Sequence, residues 1–368
     1  MKIFIANNLK NEDEIKGFKV SQSSYSDFFS KKRRLSDFIK YGFSGSSLFA
    51  KLRNPEFLNF LYLNKDKDYF NYLHYFKEKY KNYDVIVMNP GLDLVHPEFL
   101  YKHFSNSLKC LHFIDDPHST YSYGLPFSWA FDCATYISPS YSQDFTMKEI
   151  LQLSGFKNTK WIPHNYSNNI DPLYNDEELE ESLSKRLNKI TYVGGFYTKK
   201  VKRLIKIKRE FGKNFDIYGQ YPLSGLIFPI LSLKQGIPNF YRVKNINNKE
   251  REDIYRTYGI GLNMHLSDPS LETGNARTYE LAYRGLAQVV DASKTSLISN
   301  IFNPEEEVLT YESLDECISK LDLLRKNRDL RISLARNAYK KAISNYQYKN
   351  NLIDLFSWFK KIKKDEIH

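Results

Sequence analysis

Two glutamates in the carboxyl-terminal half of the chain, Glu272 and Glu280, stand on either side of a segment whose residue types suit an anion. Thr273, Gly274 and Asn275 favour a helix start, where free backbone N–H groups and the positive end of the helix dipole attract negative charge. A carboxylate repels phosphate but accepts hydrogen bonds from neutral hydroxyl groups, as on a sugar or a ribose. The segment therefore predicts a diphosphate at the helix start and a hydroxyl-binding carboxylate on either side of it.

The same residues have an ordinary structural explanation. Glu280 could form an i,i+4 helix pair with Arg284, and Glu272 could be a solvated loop residue. For a single glutamate this explanation would be preferred. The complete set favours a binding site, since Arg277 lies in the first turn of the predicted helix and Gly285 lies at its end.

The segment that begins at Glu272 resembles the carboxyl-domain signature of GT-B glycosyltransferases of the family-four type, and it is most similar to the CgeB-like branch. The resemblance implies that Glu280 binds the ribose hydroxyls of a nucleotide sugar and that Glu272 holds the transferred sugar in the catalytic site. It also implies that the backbone amides of Gly274, Asn275 and Ala276 bind the diphosphate.

A second segment carries the same resemblance at the end of a predicted strand. Gly194 and Gly195 follow an apolar run, and the basic residues Lys199, Lys200 and Arg203 come next. In the family the glycines of this loop face the diphosphate and a basic residue neutralises it, so the resemblance implies that these residues bind the donor. A routine strand-to-helix turn with solvated lysines explains the loop equally well when it is considered alone.

Gly219 and Arg277 complete the donor-binding residues. Gly219 closes the run Phe215–Gly219, which resembles the second strand of the family's carboxyl domain, and Arg277 would face the diphosphate. A helix amino end together with a lysine or arginine can stabilise the departing diphosphate without a metal ion. No metal and no cofactor are therefore expected, and the nucleotide sugar enters as a substrate.

The amino-terminal half should supply the acceptor side and a catalytic base. The predicted strand Leu111–Ile114 is followed by Asp116 and His118, which resemble by position the acidic or histidine residues that line the cleft in this family. Inverting transfer needs such a base, whereas the departing phosphate can take the proton in retaining transfer, the outcome expected here. Pro117 leaves another explanation open, in which an aspartate only caps a turn.

Short apolar runs that alternate with longer helical stretches must position these residues, and this alternation is typical of parallel α/β sheets. The predicted strands are Lys2–Ala6, Asp84–Met88, Leu111–Ile114 and Ala134–Ser138 in the first half and Lys189–Val193, Phe215–Tyr218, Gly261–Met264 and Ala287–Asp291 in the second. The predicted fold class is α/β. The resemblance implies GT-B architecture, with two Rossmann-like domains whose parallel sheets face a central cleft.

This alternation predicts that the chain is organised in three parts. Residues 1–170 are predicted to form an amino-terminal Rossmann-like acceptor domain, and residues 171–345 a carboxyl-terminal Rossmann-like donor domain for the nucleotide sugar. Residues 346–368 are predicted to be a terminal helix that packs back on the amino-terminal domain. The whole stretch Leu321–Lys364 is predicted as helix, and its apolar stripe could alternatively lie on a membrane.

Charge and cysteine content limit the partners. Lysine and arginine number 54 against 43 acidic residues, and the net charge of +11 can attract nucleic acid, an anionic membrane or a phosphorylated substrate, while composition without a binding role explains most of the excess. No nucleic-acid motif is present, so we expect a nucleotide-sugar donor, a glycan, lipid-linked or protein acceptor, and peripheral contact with an anionic membrane. Three widely spaced cysteines argue against a disulfide framework and favour the cytoplasm, with the inner face of the plasma membrane as the site of that contact.

The leading hypothesis is a hexosyl- or related sugar transferase that serves cell-surface polysaccharide or glycoconjugate biosynthesis. A nucleotide-sugar epimerase of the same fold is one alternative, and it would release its product without an external acceptor. A non-enzymatic binder of anionic polymer or nucleic acid is the other, based on the basic excess and on an aromatic content of 15%.

Overall fold

The computed structural model of the protein describes most of the chain in two compact units. The described residues are 1–5, 13–15, 18–21, 55–88, 95–113, 120–139, 141–142, 144–163, 173–195, 198–219, 246–265, 275–292 and 297–365. The amino-terminal unit comprises Met1–Pro163 together with Asn351–His368, and the carboxyl-terminal unit comprises His164–Asn350. Both units are built on a sheet of mainly or entirely parallel strands.

The described part of the amino-terminal unit contains a seven-stranded sheet. Its strands are β1 Lys2–Ile5, β2 Asp13–Ile15, β3 Phe18–Ser21, β4 Val85–Met88, β5 Leu108–Phe113, β6 Cys133–Tyr136 and β7 Asn158–Trp161. They lie in the order β2-β3-β1-β4-β5-β6-β7, in which β2 is antiparallel to β3 and all other neighbours are parallel. The four strands predicted for this half are confirmed, with shifted ends, and β2, β3 and β7 are additional.

Helix ends in this unit follow local capping chemistry. The helices are α1 Pro55–Leu63, α2 Lys67–Tyr80, α3 Pro97–His103 and α4 Met147–Leu153. Asp66 caps α2, because its carboxylate accepts the backbone N–H groups of Asp68 at 3.2 Å and of Tyr69 at 3.1 Å. Thr146 and Glu149 form a capping box at the start of α4. Side chains of the sequence itself therefore fix where these helices begin.

The core of the amino-terminal unit is rich in aromatic rings. Tyr80, at the end of α2, has its ring centre 4.1 Å from that of Phe4 in β1 and 4.8 Å from that of Phe76. All three side chains are buried. Large rings bury much apolar surface and prefer such tilted contacts, so they hold α2 against the sheet.

The described part of the carboxyl-terminal unit has five parallel strands. They are β8 Leu187–Val193, β9 Phe215–Tyr218, β10 Tyr258–Asn263, β11 Ala287–Asp291 and β12 Leu309–Tyr311, in the order β12-β11-β10-β8-β9. The helices are α5 Asp176–Lys185, α6 Thr198–Phe211, α7 Asn248–Thr257, α8 Ala276–Tyr283, α9 Leu314–Lys326 and α10 Arg328–Asn345. The four strands predicted here are confirmed, and the three-residue β12 is additional.

The end of the chain differs from its prediction. Where the sequence predicts helix throughout Leu321–Lys364, the structure has parts of three helices, the last being α11 Tyr348–Asp365. Asn327 ends the first of them and caps α10 by accepting the N–H of Leu330 at 3.0 Å. The apolar stripe of α11 is buried; it consists of Leu352, Leu355, Phe356, Phe359 and Ile362.

Two ion pairs join α11 to the rest of its unit. Lys363 lies 3.5 Å from a carboxylate oxygen of Asp84, and Asp354 lies 2.7 Å from the ammonium of Lys160 in β7. Residues from Asn351 onward accordingly cluster with the amino-terminal unit. None of the helices in the described residues is both long enough and apolar enough to span a bilayer.

Candidate active site

The carboxyl edge of the second sheet brings together most of the described residues that the sequence singles out. Parallel strands all end at the same edge, and ligands of α/β sheets bind beyond those ends. β8 leads into Gly194, β10 ends at Asn263 and β11 ends at Asp291. The site is therefore built from the loops and helix starts that follow these three strands.

Helix α8 begins where the sequence predicts, with Asn275 as its N-cap. The side chain of Asn275 accepts the N–H of Thr278 at 3.2 Å, and its own backbone N–H donates to the Thr278 hydroxyl at 3.1 Å. Asn275 and Asn263 also exchange two amide hydrogen bonds of 3.1 and 3.2 Å. A diphosphate that binds the Asn275 amide would therefore have to displace the Thr278 hydroxyl, whereas Ala276 is an exposed first residue of the helix.

Arg277 fills the space between α8 and β8. Its guanidinium donates to Oδ1 of Asn263 at 3.3 Å and lies 5.0 Å from the ring centre of Tyr192. Burial alone would lower its pKa, but Tyr192, Tyr255 and Glu280 oppose that effect, so the pKa of this guanidinium is raised. The start of α8 thus carries a permanent positive charge in addition to the helix dipole.

The glycines of this region have a packing reason for lacking a side chain. A Cβ on Gly194 would lie 1.9 Å from Nη2 of Arg277, and a Cβ on Gly219 would lie 1.9 Å from the carbonyl oxygen of Gly194. Gly219 also has a φ of +151°, which other residues rarely adopt. The carbonyl of Gly195 accepts the hydroxyl of Tyr192 at 3.0 Å. The missing side chain of Gly194 makes room for Arg277, and that of Gly219 makes room for the backbone of Gly194. This packing requirement holds whether or not the glycines also contact a diphosphate.

Arg284 does not form the i,i+4 side-chain pair with Glu280 that the sequence allows. Its Nε donates to a carboxylate oxygen of Glu252 at 2.6 Å, and its Nη2 contacts the second oxygen of the same carboxylate. Its contact with Glu280 is made to the backbone carbonyl, at 3.3 Å. The i,i+4 side-chain pair is therefore replaced by a bidentate pair with α7.

Glu280 instead lies close to the guanidinium of Arg251. Its side chain is 20% exposed, and one carboxylate oxygen lies 3.6 Å from Nη1 of Arg251. Glu280 also lies three residues after Arg277, which places both side chains on one face of α8. A cation and a carboxylate are thus presented side by side, a pairing that suits a diphosphate joined to a ribose.

Two of the three basic residues predicted after Gly195 are described with their side chains. The buried Lys200 donates from Nζ to the carbonyl of Met264 at 2.7 Å. Nη1 of Arg203 lies 3.6 Å from Oδ2 of Asp291. Both side chains therefore reach the carboxyl edge of the sheet, where each has a partner in the protein.

The sequence interpretation missed one pair at this edge. Nδ1 of His265 lies 2.6 Å from Oδ1 of Asp291, and the backbone N–H of His265 donates to the same oxygen at 2.8 Å. Both side chains are buried. Their position was a usable signal, because His265 comes just after β10 and Asp291 ends β11, and polar residues at such strand ends face a ligand site.

Several predicted residues lie outside the described part of the chain. These are Asp116, His118, Glu272 and Gly274, and the side chain of Lys199 lies outside it as well. Within the described ranges, no three histidine, cysteine, aspartate or glutamate side chains are grouped as a metal site requires.

Comparison with known proteins gives a family match for part of the chain and structural matches for its fold. A family model described as glycosyl transferase-like matches residues 198–357, which include α6, α8 and the ends of β10 and β11. No curated protein sequence matches the chain.

Solved structures share the fold at low sequence identity. TarM of S. aureus is 12% identical with a TM-score of 0.57, covering 78% of this chain, which spans only 57% of TarM. Sucrose-phosphate synthase of Thermosynechococcus elongatus is 12% identical over 81% of this chain and 79% of its own, with a TM-score of 0.56. Anabaena HepE, in complex with UDP, is 13% identical over 80% and 81%, with a TM-score of 0.51.

These similarities establish the architecture that the two parallel sheets indicate. Residues 198–357 match a glycosyl transferase-like family model, and the chain shares with the solved structures the two-domain α/β architecture known as the GT-B fold.

Proposed function

We propose that the protein transfers a sugar from a nucleoside-diphosphate sugar to a hydroxyl group of a glycan, lipid-linked or protein acceptor. The observation that carries the proposal is the placement of Arg277 and Glu280 three residues apart on one face of α8, where Arg277 bonds Asn263 and Glu280 lies near Arg251, within the segment that matches the glycosyl transferase-like model. The cation suits the diphosphate and the carboxylate suits the ribose hydroxyls. The UDP bound by the similar HepE supports a donor of this class.

The residues of the donor side would act on the leaving group. As the bond between the sugar's anomeric carbon and the diphosphate oxygen breaks, its electron pair stays on the diphosphate. A new bond forms from the acceptor oxygen to the same carbon. Arg277, Lys200 and Arg203 can balance the charge that builds on the diphosphate, so we propose that no metal ion takes part.

The acceptor hydroxyl must also lose its proton. We propose retaining transfer, in which the departing phosphate can accept that proton, with Asp116 and His118 as the candidate bases if the configuration inverts. Glu272 would hold the transferred sugar. Residues 1–170 would bind the acceptor and residues 171–345 the donor, as in the CgeB-like branch.

Partners and location extend the same proposal. The net charge of +11 supports peripheral contact with an anionic membrane at the inner face of the plasma membrane, where lipid-linked acceptors would be available. A cytoplasmic enzyme of cell-surface polysaccharide or glycoconjugate biosynthesis fits these partners, and no nucleic acid is needed.

Thermal-shift measurements with UDP, GDP, CDP and dTDP and their sugars test the proposal. A nucleotide at 100 times its dissociation constant should stabilise the protein by about 2.7 kcal/mol. Glu280→Gln should lower the affinity for that nucleotide about tenfold, because a charge-assisted hydrogen bond to the ribose is lost. Glu177→Gln, at an exposed position of α5, is the matched control and should leave the affinity unchanged.

The outcomes separate this function from its alternatives. If oligonucleotides stabilise the protein and no nucleotide or nucleotide sugar does, the proposed function is wrong. Release of an isomerised sugar from the donor in the absence of any acceptor would favour the epimerase. A nucleotide that binds the wild type and the Glu177 variant equally, but the Glu280 variant weakly, supports the transferase.

A further inference from the structure

The carboxylate of Asp291 lies between two basic side chains at the edge of the donor sheet. The side chain is 2% exposed. Its Oδ1 accepts the backbone N–H of His265 at 2.8 Å and lies 2.6 Å from the ring Nδ1, while Oδ2 lies 3.6 Å from Nη1 of Arg203. A buried carboxylate is costly unless it is paired, and here it is shared by two basic groups.

The surroundings place this carboxylate next to the donor-binding residues. Three consecutive residues at the end of β10 make the connections. Asn263 bonds Arg277 and the N-cap of α8, the carbonyl of Met264 accepts Lys200, and His265 contacts Asp291. Only Met264 therefore separates His265, which contacts Asp291, from Asn263, which contacts Arg277.

The chemistry of the pair fixes the histidine ring. A carboxylate can only accept, so Nδ1 of His265 carries the proton that is shared with Asp291. This contact sets both the tautomer and the orientation of the ring. Any contact of the ring with a bound donor is then made through Nε2.

The arginine is fixed less completely. Arg203 meets Asp291 through one nitrogen, and its side chain is 44% exposed. A guanidinium presents five N–H groups in a planar fork, so one anchored nitrogen leaves others able to bind phosphate oxygens. Asp291 thus holds one basic group deep in the sheet edge and one at its surface.

We infer that Asp291 is a positioning residue for the donor's diphosphate, which holds His265 and Arg203 so that Nε2 and the guanidinium contact the phosphate groups. The inference rests on the proposed function, in which Arg203 already faces the diphosphate, and adds to that site the contact of His265 and the positioning role of Asp291. A purely structural role makes a different demand on Asp291. Capping the backbone N–H of His265 needs only an acceptor, which an asparagine would also supply, whereas positioning two basic groups needs the charge.

Binding of a nucleoside diphosphate and of its parent nucleoside separates these roles. The probes are UDP and uridine, or GDP and guanosine if the thermal-shift screen selects GDP. Asp291→Asn keeps the acceptor and removes the charge. We expect it to weaken UDP binding about tenfold, the loss of one charge-assisted contact, and to change uridine binding less than about twofold.

Four further variants, one of them a control, make the measurement specific. Arg203→Gln should weaken UDP in the same way, and Arg203→Lys should restore part of that loss. His265→Asn keeps a donor near the position of Nδ1 and removes Nε2, so it should also weaken UDP and spare uridine. Asp216→Asn is the matched control, an aspartate of β9 paired with Lys189, and should leave the UDP-to-uridine ratio unchanged.

The double variant Asp291→Asn with Arg203→Gln tests whether the two residues act together. The combined loss of UDP affinity should be smaller than the product of the single losses, because the carboxylate acts through the arginine. A loss equal to that product would contradict the coupling.

The outcomes are distinct from those of the proposed function. If the wild type binds no nucleotide, the proposed function itself has failed. If the wild type binds UDP and the variants of Asp291, Arg203 and His265 keep the wild-type UDP-to-uridine ratio, the inference is wrong while the function stands. If Asp291→Asn does not fold, the half-exposed Arg203 variants decide the result by the same ratio.

Discussion

Two buried basic side chains, one in each unit, have pKa values shifted in opposite directions. In the amino-terminal unit, His96 caps α3 with Nδ1, which accepts the N–H of Glu98 at 3.2 Å, and its ring lies 3.9 Å from that of Tyr62. Burial lowers the pKa of His96 to about 4, so the ring is neutral at neutral pH. In the carboxyl-terminal unit, burial opposes the charge of Arg284, yet Glu252 outweighs it and raises the pKa of the arginine.

The difference lies in the partners. A neutral ring can be buried among other rings, whereas a guanidinium that must stay charged needs a carboxylate or an aromatic face. Arg284 has Glu252, and Arg277 has the face of Tyr192. The carboxyl-terminal unit therefore keeps positive charge at both ends of α8, and Arg277 lies at the end where the proposed diphosphate would bind.

Removing the partner of Arg284 should have the largest effect. Glu252→Gln leaves the buried guanidinium without a counter-charge, and we expect the free energy of unfolding to fall by about 3 kcal/mol. Urea denaturation measures this loss. The control is Glu180→Gln, which breaks the exposed pair with Arg336 and should cost about 0.5 kcal/mol or less. Equal costs in the two variants would show that Glu252 does not hold the charge of Arg284.

Placing a methyl group in the space that Arg277 occupies should have a smaller effect on the free energy of unfolding. In Gly194→Ala the new methyl group would meet Nη2 of Arg277, so the arginine must move, at an expected cost of about 1–3 kcal/mol and with weaker nucleotide binding. Gly212→Ala is the control, since no atom lies within 4 Å of its Cβ although its φ is +50°. That variant should cost about 1 kcal/mol from backbone strain and leave nucleotide binding unchanged. Unchanged binding in Gly194→Ala would mean that Arg277 does not contact the nucleotide.

The pH dependence of His96 gives the smallest effect. Between pH 6.5 and about 4 the unfolded ring takes up a proton that the folded ring does not, so stability is lost as the pH falls through this window. We expect a loss of about 1–2 kcal/mol, discounted for solvent screening. Thermal denaturation across this range measures it.

The matched variants isolate this titration. His96→Asn keeps a favourable N-cap without a titrating ring and should flatten the pH dependence. His74→Asn, at an exposed position of α2, should leave the curve as in the wild type. A wild-type slope in the His96 variant would assign the acid sensitivity to other groups.

Strands with buried apolar residues were predictable, whereas a polar edge strand and a three-residue edge strand were not. Val85–Met88 is apolar and buried throughout, and its short length and β-branched residues indicate a buried strand. β7 reads Asn-Thr-Lys-Trp, and none of its side chains is fully buried. β12 has only three residues. Edge strands of this kind are defined by pairing with a neighbour, which local sequence does not encode.

The contacts of the candidate site also divide into those that the sequence predicts and those that it does not. The N-cap role of Asn275 follows from local spacing, and the structure confirms the helix start that the sequence predicts. The pairing of Arg284 with Glu252 joins residues 32 positions apart, and the sequence offered the nearer Glu280 instead. The contact between Gly194 and Arg277 likewise depends on how α8 packs on β8. Contacts between residues that tertiary packing brings together could therefore be identified only from the structure.

The ion pairs of α11 have a consequence for biosynthesis. Because Asn351–His368 belong to the same unit as Met1–Pro163, residues 164–350 must be synthesised before the amino-terminal unit can complete its packing. At about 5–20 residues per second, that interval lasts about 10–40 s. During this time the carboxyl-terminal unit can fold first, and the surface later buried by Phe356 and Phe359 stays uncovered on the ribosome. Lys363 and Asp84 can then meet only after residues 164–350 have been synthesised.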